Sequence, residues 1–258
     1  MVATVAKGKV SSLRSRVGPE EWQTRLDLAA CYRLIAHHRW DAGTGNHLSA
    51  RVPGEPDHIL LNPFGLFFDE ITASSLVKVD SNGKKLTETP YRLNHAAFNI
   101  HSAVYRARPD VMAVLHTHSE GGMAISALKS GLVTITQTAA IFHNRVAYHD
   151  FRGPGDTMDD CEQLGVDLGP HYAMILRNHG LLISGRSVAE AFSIMFNLES
   201  AIAAQLRAQA TGGELIVPPN DLCEMAAQKR EAKNKTLSDE SWIAWVRLAD
   251  RIDRSYRK

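Results

Sequence analysis

Only three cysteines occur in the 258 residues, Cys31, Cys161 and Cys223. They are far apart, odd in number and form no CxxC pair. That excludes a disulfide framework and a cysteine zinc finger, and a reducing, cytoplasmic setting is expected. Net charge of one sign is also lacking. At +1 the chain offers no overall electrostatic case for nucleic acid or an anionic membrane as partner. No apolar run approaches the roughly 18 residues of a spanning helix, and no continuous apolar segment marks a secretory signal. There is no Walker A loop, no GxGxxG after a strand, no nucleophile elbow and no internal repeat. Residues 1–17 lack acidic side chains but carry Lys7, Lys9, Arg14 and Arg16. They are expected to form a disordered tail, with an arginine-rich transit peptide as the alternative. Residues 18–258 are expected to form one domain.

What the chain does have is an ordinary globular balance, 44% hydrophobic and 22% charged, enough to bury a substantial core. It also has twelve histidines, and three of them stand in a pattern. His116-Thr117-His118 follows the apolar run Val111–Leu115, and Asn178-His179-Gly180 lies inside a second apolar stretch, about 173–184. Side chains two apart on a strand share a face, so His116 and His118 point the same way. Two imidazoles on one face, with a third from a distant strand, match a catalytic divalent metal site with three protein ligands and an open position. The competing reading, three satisfied core histidines, suits any one of them better than all three together.

The remaining pattern places these segments in an α/β fold. Gly18-Pro19-Glu20-Glu21 opens a helix that ends near His37 or His38, and a glycine-rich loop follows at 41–46. Strands are expected at 47–52, 58–62 and 76–79, the last ended by the hairpin signal Asp80-Ser81-Asn82-Gly83. Helical spacing runs over 94–106 and 122–128. Strands are expected at 132–136 and 145–148, with a helix at 157–168. Ser187 and Glu190 form a capping box that starts a helix reaching about residue 210. Helical patterns follow at 220–232 and 239–253. Together these give a mixed central sheet, helices on both faces and a C-terminal helical extension.

Four stretches, in this order and spacing, resemble the class II aldolase/adducin family: Gly45-Asn46-His47-Leu48-Ser49, Asn62-Pro63-Phe64-Gly65, Arg108-Pro109-Asp110 with His116-Thr117-His118, and Asn178-His179-Gly180-Leu181. The resemblance covers roughly residues 22–210. It implies an αβα sandwich, a homotetramer with sites near subunit interfaces, and a small-molecule substrate. It further implies that His116, His118 and His179 bind one divalent metal, zinc first, with manganese or iron as alternatives. Gly45, Asn46, Phe64 and Gly65 are the substrate-binding positions it carries over.

The sequence departs from the family's sugar-phosphate aldolases where they place a carboxylate that serves as resting metal ligand and acid/base. That position is Ala97, which can neither ligate nor carry a proton. Two phosphate-binding serines are His95 and Ala96 here, and a loop hydroxyl residue is Phe64. The expected substrate is therefore not a sugar phosphate. Candidate catalytic groups are Glu120, on the His118 face if the strand continues, His95, and Tyr256, where some relatives supply a tyrosine proton donor to a neighbouring subunit. His143, His149 and Arg177 are weaker candidates, each with a structural reading beside it. A metal-dependent lyase is expected, passing through enolate-type charge by retro-aldol cleavage or decarboxylation of a hydroxy- or oxo-acid. The alternatives are an iron-dependent oxygenase and a non-catalytic adducin-like binding protein.

Overall fold

A computed structural model of the protein describes residues 13–153 and 158–258. Of the expected N-terminal tail, residues 1–12 lie outside the described residues. Pro19 opens the first helix, α1 (Pro19–His38), with Glu20 and Glu21 in its first turn and His37 and His38 in its last. A seven-stranded sheet follows, built from β1 (His47–Val52), β2 (Glu55–Leu61), β3 (Val77–Val79), β4 (Ala113–Thr117), β5 (Val146–His149), β6 (Ala173–Leu176) and β7 (Gly180–Gly185). Its spatial order is β3-β2-β1-β4-β7-β6-β5. Only β5 and β6 pair parallel; every other pair is antiparallel. The sheet is mixed, as the sequence pattern implies.

Strand alternation sorts the core into two layers. Ala113 and Leu115 of β4, Ala173 and Ile175 of β6, and Leu181 and Ile183 of β7 pack with α1 and with α6 (Val188–Ala210). Val114, Met174, Leu176 and Leu182 face the other way, against α2 (His95–Ala107) and α5 (Met158–Leu168). Each of the valine, leucine, isoleucine and methionine side chains among them contributes about 1.5–3 kcal/mol when taken fully out of water, and shifting a strand by one residue would exchange both layers at once. Two further helices, α7 (Asn220–Glu231) and α8 (Asn234–Ile252), form the C-terminal extension, with α8 against α1 and α6. This is an αβα sandwich.

The chain end is stitched to the body. Ala73 and Ser74 donate backbone N–H groups to the carbonyls of Tyr256 and Lys258, both at 2.8 Å, and Arg33 pairs with Asp253. Tyr256 is buried in the α1-side layer, and its hydroxyl donates to Asp250 at 2.8 Å.

Three local expectations change. The stretch 173–184 is not one strand but the hairpin β6–β7, whose turn holds Arg177, Asn178 and His179. Asn178 takes φ +56° there, a left-handed conformation that asparagine tolerates better than most residues. Residues 132–136 form no strand. The backbone N–H groups of Leu132 and Val133 go instead to the Tyr148 hydroxyl and the Gln205 side chain, and a short helix, α4 (Gln137–Ala140), follows. At the start of α6, Ser187 accepts the Glu190 N–H as a capping box requires, but the Glu190 carboxylate receives the Arg186 backbone N–H and guanidinium instead of the Ser187 N–H.

Candidate metal centre

His116 sits at the end of β4, paired directly across from His47 on β1. His118 follows just beyond the strand, and His179 comes from the β6–β7 turn. The three side chains converge. His118 Nε2 lies 3.1 Å from His116 Nε2 and 2.9 Å from His179 Nε2. Among the described residues this is the one group of three or more histidine, cysteine or carboxylate side chains whose nitrogen, sulfur or oxygen atoms all lie within 4.8 Å of one another.

The surroundings hold each of the three histidines in place. His116 Nδ1 lies 2.8 Å from the Leu181 carbonyl. A carbonyl can only accept, so Nδ1 carries the proton and Nε2 keeps its lone pair toward the other two rings. His118 is fixed through its backbone: its N–H donates to Asn46 Oδ1 at 2.6 Å, and Asn46 in turn donates to the Ala42 carbonyl at 3.0 Å. The His179 backbone N–H is received by the Ser126 hydroxyl, and the Asn178 N–H by the Ser126 carbonyl. The C-terminal end of α3 (Glu120–Ser126) thus holds the His179 turn.

Burial, reinforced by the neighbouring histidines, drives His116 well below the usual imidazole range and His118 down to about 4. His179 is lowered by burial and then by His149. At neutral pH all three are uncharged, the form in which imidazole ligates a cation. A tetrahedral ion about 2.0–2.1 Å from each nitrogen would hold the nitrogens roughly 3.3 Å apart. The observed 2.9 and 3.1 Å separations lie a few tenths of an ångström below that value, and all three nitrogens lie within 4.8 Å of one another. The donor set fits a divalent metal.

The other expected site residues fall at different distances from this centre. Asn46 is buried and serves His118. Gly45 lies in the same loop. Phe64 is 38% exposed, with the Arg92 guanidinium 5.3 Å from its ring centre, and Gly65 takes φ +94° in the turn behind it. Ala97 is buried in the first turn of α2, its N–H capped by Asn94, and that turn carries no acid. His95 is exposed at the first position of α2. Glu120 is exposed at the start of α3. The β4 strand does not continue to it, because Ser119 turns the chain and caps α3 by accepting the Gly122 N–H. Neither His95 nor Glu120 joins the histidine group.

His149 and Arg177 line a cleft of about 360 Å³ beside His179. The His149 ring sits between Asp167, 2.7 Å from Nδ1, and Asp160, 3.4 Å from Nε2. Arg177 donates to the Leu128 carbonyl and lies over the Tyr148 ring at 4.2 Å. His143 lies outside this cleft, in the bend before β5, where its carbonyl accepts from Arg145.

Two buried groups were not anticipated from sequence. His47 Nδ1 lies 2.8 Å from His101 Nε2, His101 Nδ1 lies 2.5 Å from Ser49 Oγ, and Ser49 Oγ lies 2.8 Å from the Tyr105 hydroxyl. This chain runs between the sheet and α2, and the His47 ring centre is 4.8 Å from that of His116. The available signal was periodicity: His47 and Ser49 alternate on one strand face, and His101 and Tyr105 stand four apart on one helix face. The second group is Glu199 of α6, which accepts from Ser119 Oγ at 2.6 Å. Burial pushes its carboxyl up to about 7 against the opposing effect of that hydrogen bond.

Comparison with known proteins agrees with the fold and the motif order. Residues 26–206 match the Class II Aldolase and Adducin N-terminal domain. The crystal structure of an aldolase II superfamily protein from Pseudomonas syringae is 44% identical, with a TM-score of 0.92 over 96% of this chain and 100% of that one. An L-fuculose 1-phosphate aldolase from Glaciozyma antarctica is 31% identical, with a TM-score of 0.81 over 93% of each chain. Alpha-adducin of Rattus norvegicus is 41% identical over 217 residues, 82% of this chain but 29% of adducin's length. The chain belongs to the class II aldolase and adducin family.

Proposed function

We propose that the protein is a metal-dependent carbon–carbon lyase acting on a non-phosphorylated hydroxy- or oxo-acid, by retro-aldol cleavage or decarboxylation. The observation that carries this reading is the convergence of three uncharged imidazoles, each residue held by a backbone or backbone-directed hydrogen bond, together with an α2 first turn that carries no carboxylate. A divalent ion held by His116, His118 and His179, zinc first, would act as a Lewis acid favouring negative charge on a substrate oxygen. The chain's own contribution is orientation. Leu181 orients the His116 ring, and Asn46 and Ser126 hold the backbone from which His118 and His179 project, which limits the reorganisation left at the reacting centre.

The proposed substrate class rests on the positions where the sequence departs from the family's sugar-phosphate aldolases. Ala97 supplies neither a fourth ligand nor a proton carrier, and Phe64 replaces a hydroxyl at the loop that serves phosphate in the family's aldolases. An apolar pocket edge suits a larger or aromatic substrate. Decarboxylation is favoured within this class because it requires no base to remove a hydroxyl proton. A homotetramer, common in this family, is the expected assembly.

Similarity to alpha-adducin favours a second reading, a binding protein that performs no chemistry. Anaerobic purification with metal quantification separates the two. The lyase reading expects close to one divalent ion per chain, lost in His116→Ala. It also expects turnover or carbon dioxide release in a screen of hydroxy- and oxo-acids. Full-length protein that neither retains nor takes up a divalent ion would overturn the lyase reading.

A further inference from the structure

A second pocket lies at the far end of the hairpin that carries His179. The β6–β7 turn holds the histidine, while the open end of the same hairpin, at Tyr172, Ala173 and Arg186, borders a pocket of about 600 Å³ between α6 and the α7–α8 junction. The hairpin's length separates it from the metal centre. Ile141, Phe142, Tyr172 and Ile194 supply the apolar part of its lining, and Glu190 and Glu231 also border it.

Three guanidinium groups border the pocket, and two are already neutralised. Arg145 donates to both oxygens of Glu224, at 2.6 and 2.8 Å. Arg186 donates to both oxygens of the fully buried Glu190, at 2.9 and 2.6 Å. Arg230 differs. Its Nε donates to Asn234 Oδ1 and its Nη2 to Ser193 Oγ, each at 3.0 Å. Asn234 is itself anchored, since its Nδ2 donates to Glu190 at 2.8 Å. Among the described residues no carboxylate lies within ion-pair distance of Arg230, and its two hydrogen-bond partners are neutral.

Arg230 is thus a partly buried cation fixed in one orientation by two neutral groups, with further N–H donors left over. A guanidinium offers five donors in a planar fork that matches a carboxylate. The adjoining surface is aromatic and branched aliphatic. We propose that this pocket binds a small monocarboxylate with a compact apolar body, its carboxylate on Arg230 and its apolar part against Phe142, Tyr172 and Ile194. The site is distinct from the metal centre and independent of the activity proposed for it.

Benzoate is the probe. It should raise the thermal midpoint of the full-length, metal-loaded protein in a saturable way. Benzamide, of the same shape without the charge, should bind roughly tenfold to hundredfold more weakly. Inorganic phosphate, charged but without an apolar body, should produce no comparable shift. Arg230→Met should abolish the benzoate effect. Ile141→Trp, which fills the pocket and leaves Arg230 in place, should abolish it as well, so a folding defect in one variant does not decide the matter. His116→Ala should respond to benzoate as the parent does. No saturable shift with benzoate, an equal shift with benzamide or phosphate, or an effect lost in His116→Ala but kept in Arg230→Met would each overturn the proposal.

Discussion

The Asn46 side chain holds the backbone of His118: its Oδ1 accepts the His118 N–H at 2.6 Å, across 72 residues of sequence, and Asn46 is fully buried. Replacing Asn46 with alanine leaves that N–H and the Ala42 carbonyl without their partner. An unsatisfied buried polar group costs about 1–3 kcal/mol. Asn46→Ala should therefore lower the denaturation midpoint and, by loosening His118, weaken divalent-metal binding by roughly tenfold to hundredfold. Metal titration monitored by competition with a chromophoric chelator measures the second effect. Asn46→Asp keeps an acceptor for His118 and should fall between alanine and the parent. Unchanged metal affinity in Asn46→Ala would show that His118 is held by other means.

The approach of the β6–β7 turn to β4 depends on Gly180. A Cβ placed there would lie 2.5 Å from the Thr117 carbonyl oxygen and 3.3 Å from His118 Cδ2. The first contact is with backbone, so no side-chain rotation relieves it. Gly180→Ala should push the strands apart at the point where His118 and His179 meet, costing about 1–3 kcal/mol by overpacking. Gly45→Ala is the matched control, because nothing lies within 4 Å of a Cβ there, and it should stay within about 0.5 kcal/mol of the parent. Urea denaturation of both variants, with and without added zinc, tests the pair. The Gly180 variant alone should lose most of the zinc-dependent stabilisation.

Glu199 gives the stability a pH dependence whose sign can be worked out. Burial raises its carboxyl from the ordinary 4.5 to about 7 in the folded protein. Between those values the folded state binds more protons than the unfolded one, so stability falls as pH rises through the window. At about 1.4 kcal/mol per pH unit, the full effect is on the order of 3 kcal/mol. Glu199→Gln has no proton to lose and keeps an acceptor for Ser119. Relative to the parent it should gain stability between pH 5 and pH 8, measured as the change in denaturant midpoint. An equal difference between variant and parent at both pH values would contradict the raised carboxyl.

The helices and most strands were legible because their apolar spacing is that of one-sided or two-sided burial, and nothing in tertiary structure opposes it. The His116 and His118 pair could be read from strand alternation alone. His179 was placed correctly beside them but on the wrong kind of element. The apolar residues on either side of Asn178-His179-Gly180 suggest one strand, whereas asparagine and glycine so close together mark a turn. Strand alternation does not extend to Glu120 because the end of β4 is set by a cap: Ser119 turns the chain one residue before that carboxylate. Residues 132–136 have strand composition but no strand to pair with. The Leu132 and Val133 N–H groups are satisfied by Tyr148 and Gln205, and no local pattern encodes such partners. The His47–His101 contact is equally long in range, joining a strand and a helix through two side chains that each look ordinary in their own segment.

That buried chain allows a sharper test than single substitutions. Ser49 bridges His101 and Tyr105, with all three side chains buried. Ser49→Ala removes the bridge, strands His101 Nδ1 and leaves the Tyr105 hydroxyl with the Val114 backbone alone, which should cost about 1–3 kcal/mol for the stranded group. Tyr105→Phe removes one of those groups and by itself should cost less, because Ser49 retains His101. If the chain acts as a unit, the double variant should be less destabilised than the two single losses summed, with a coupling of about 0.5–3 kcal/mol. Chemical denaturation of the four proteins in the cycle measures this directly. Repeating the cycle on metal affinity asks whether the coupling passes through His47 to the His116 ring, 4.8 Å away centre to centre. Coupling in stability without coupling in metal affinity would confine the chain to packing α2 on the sheet. Coupling in both would extend its role to holding the metal centre in shape.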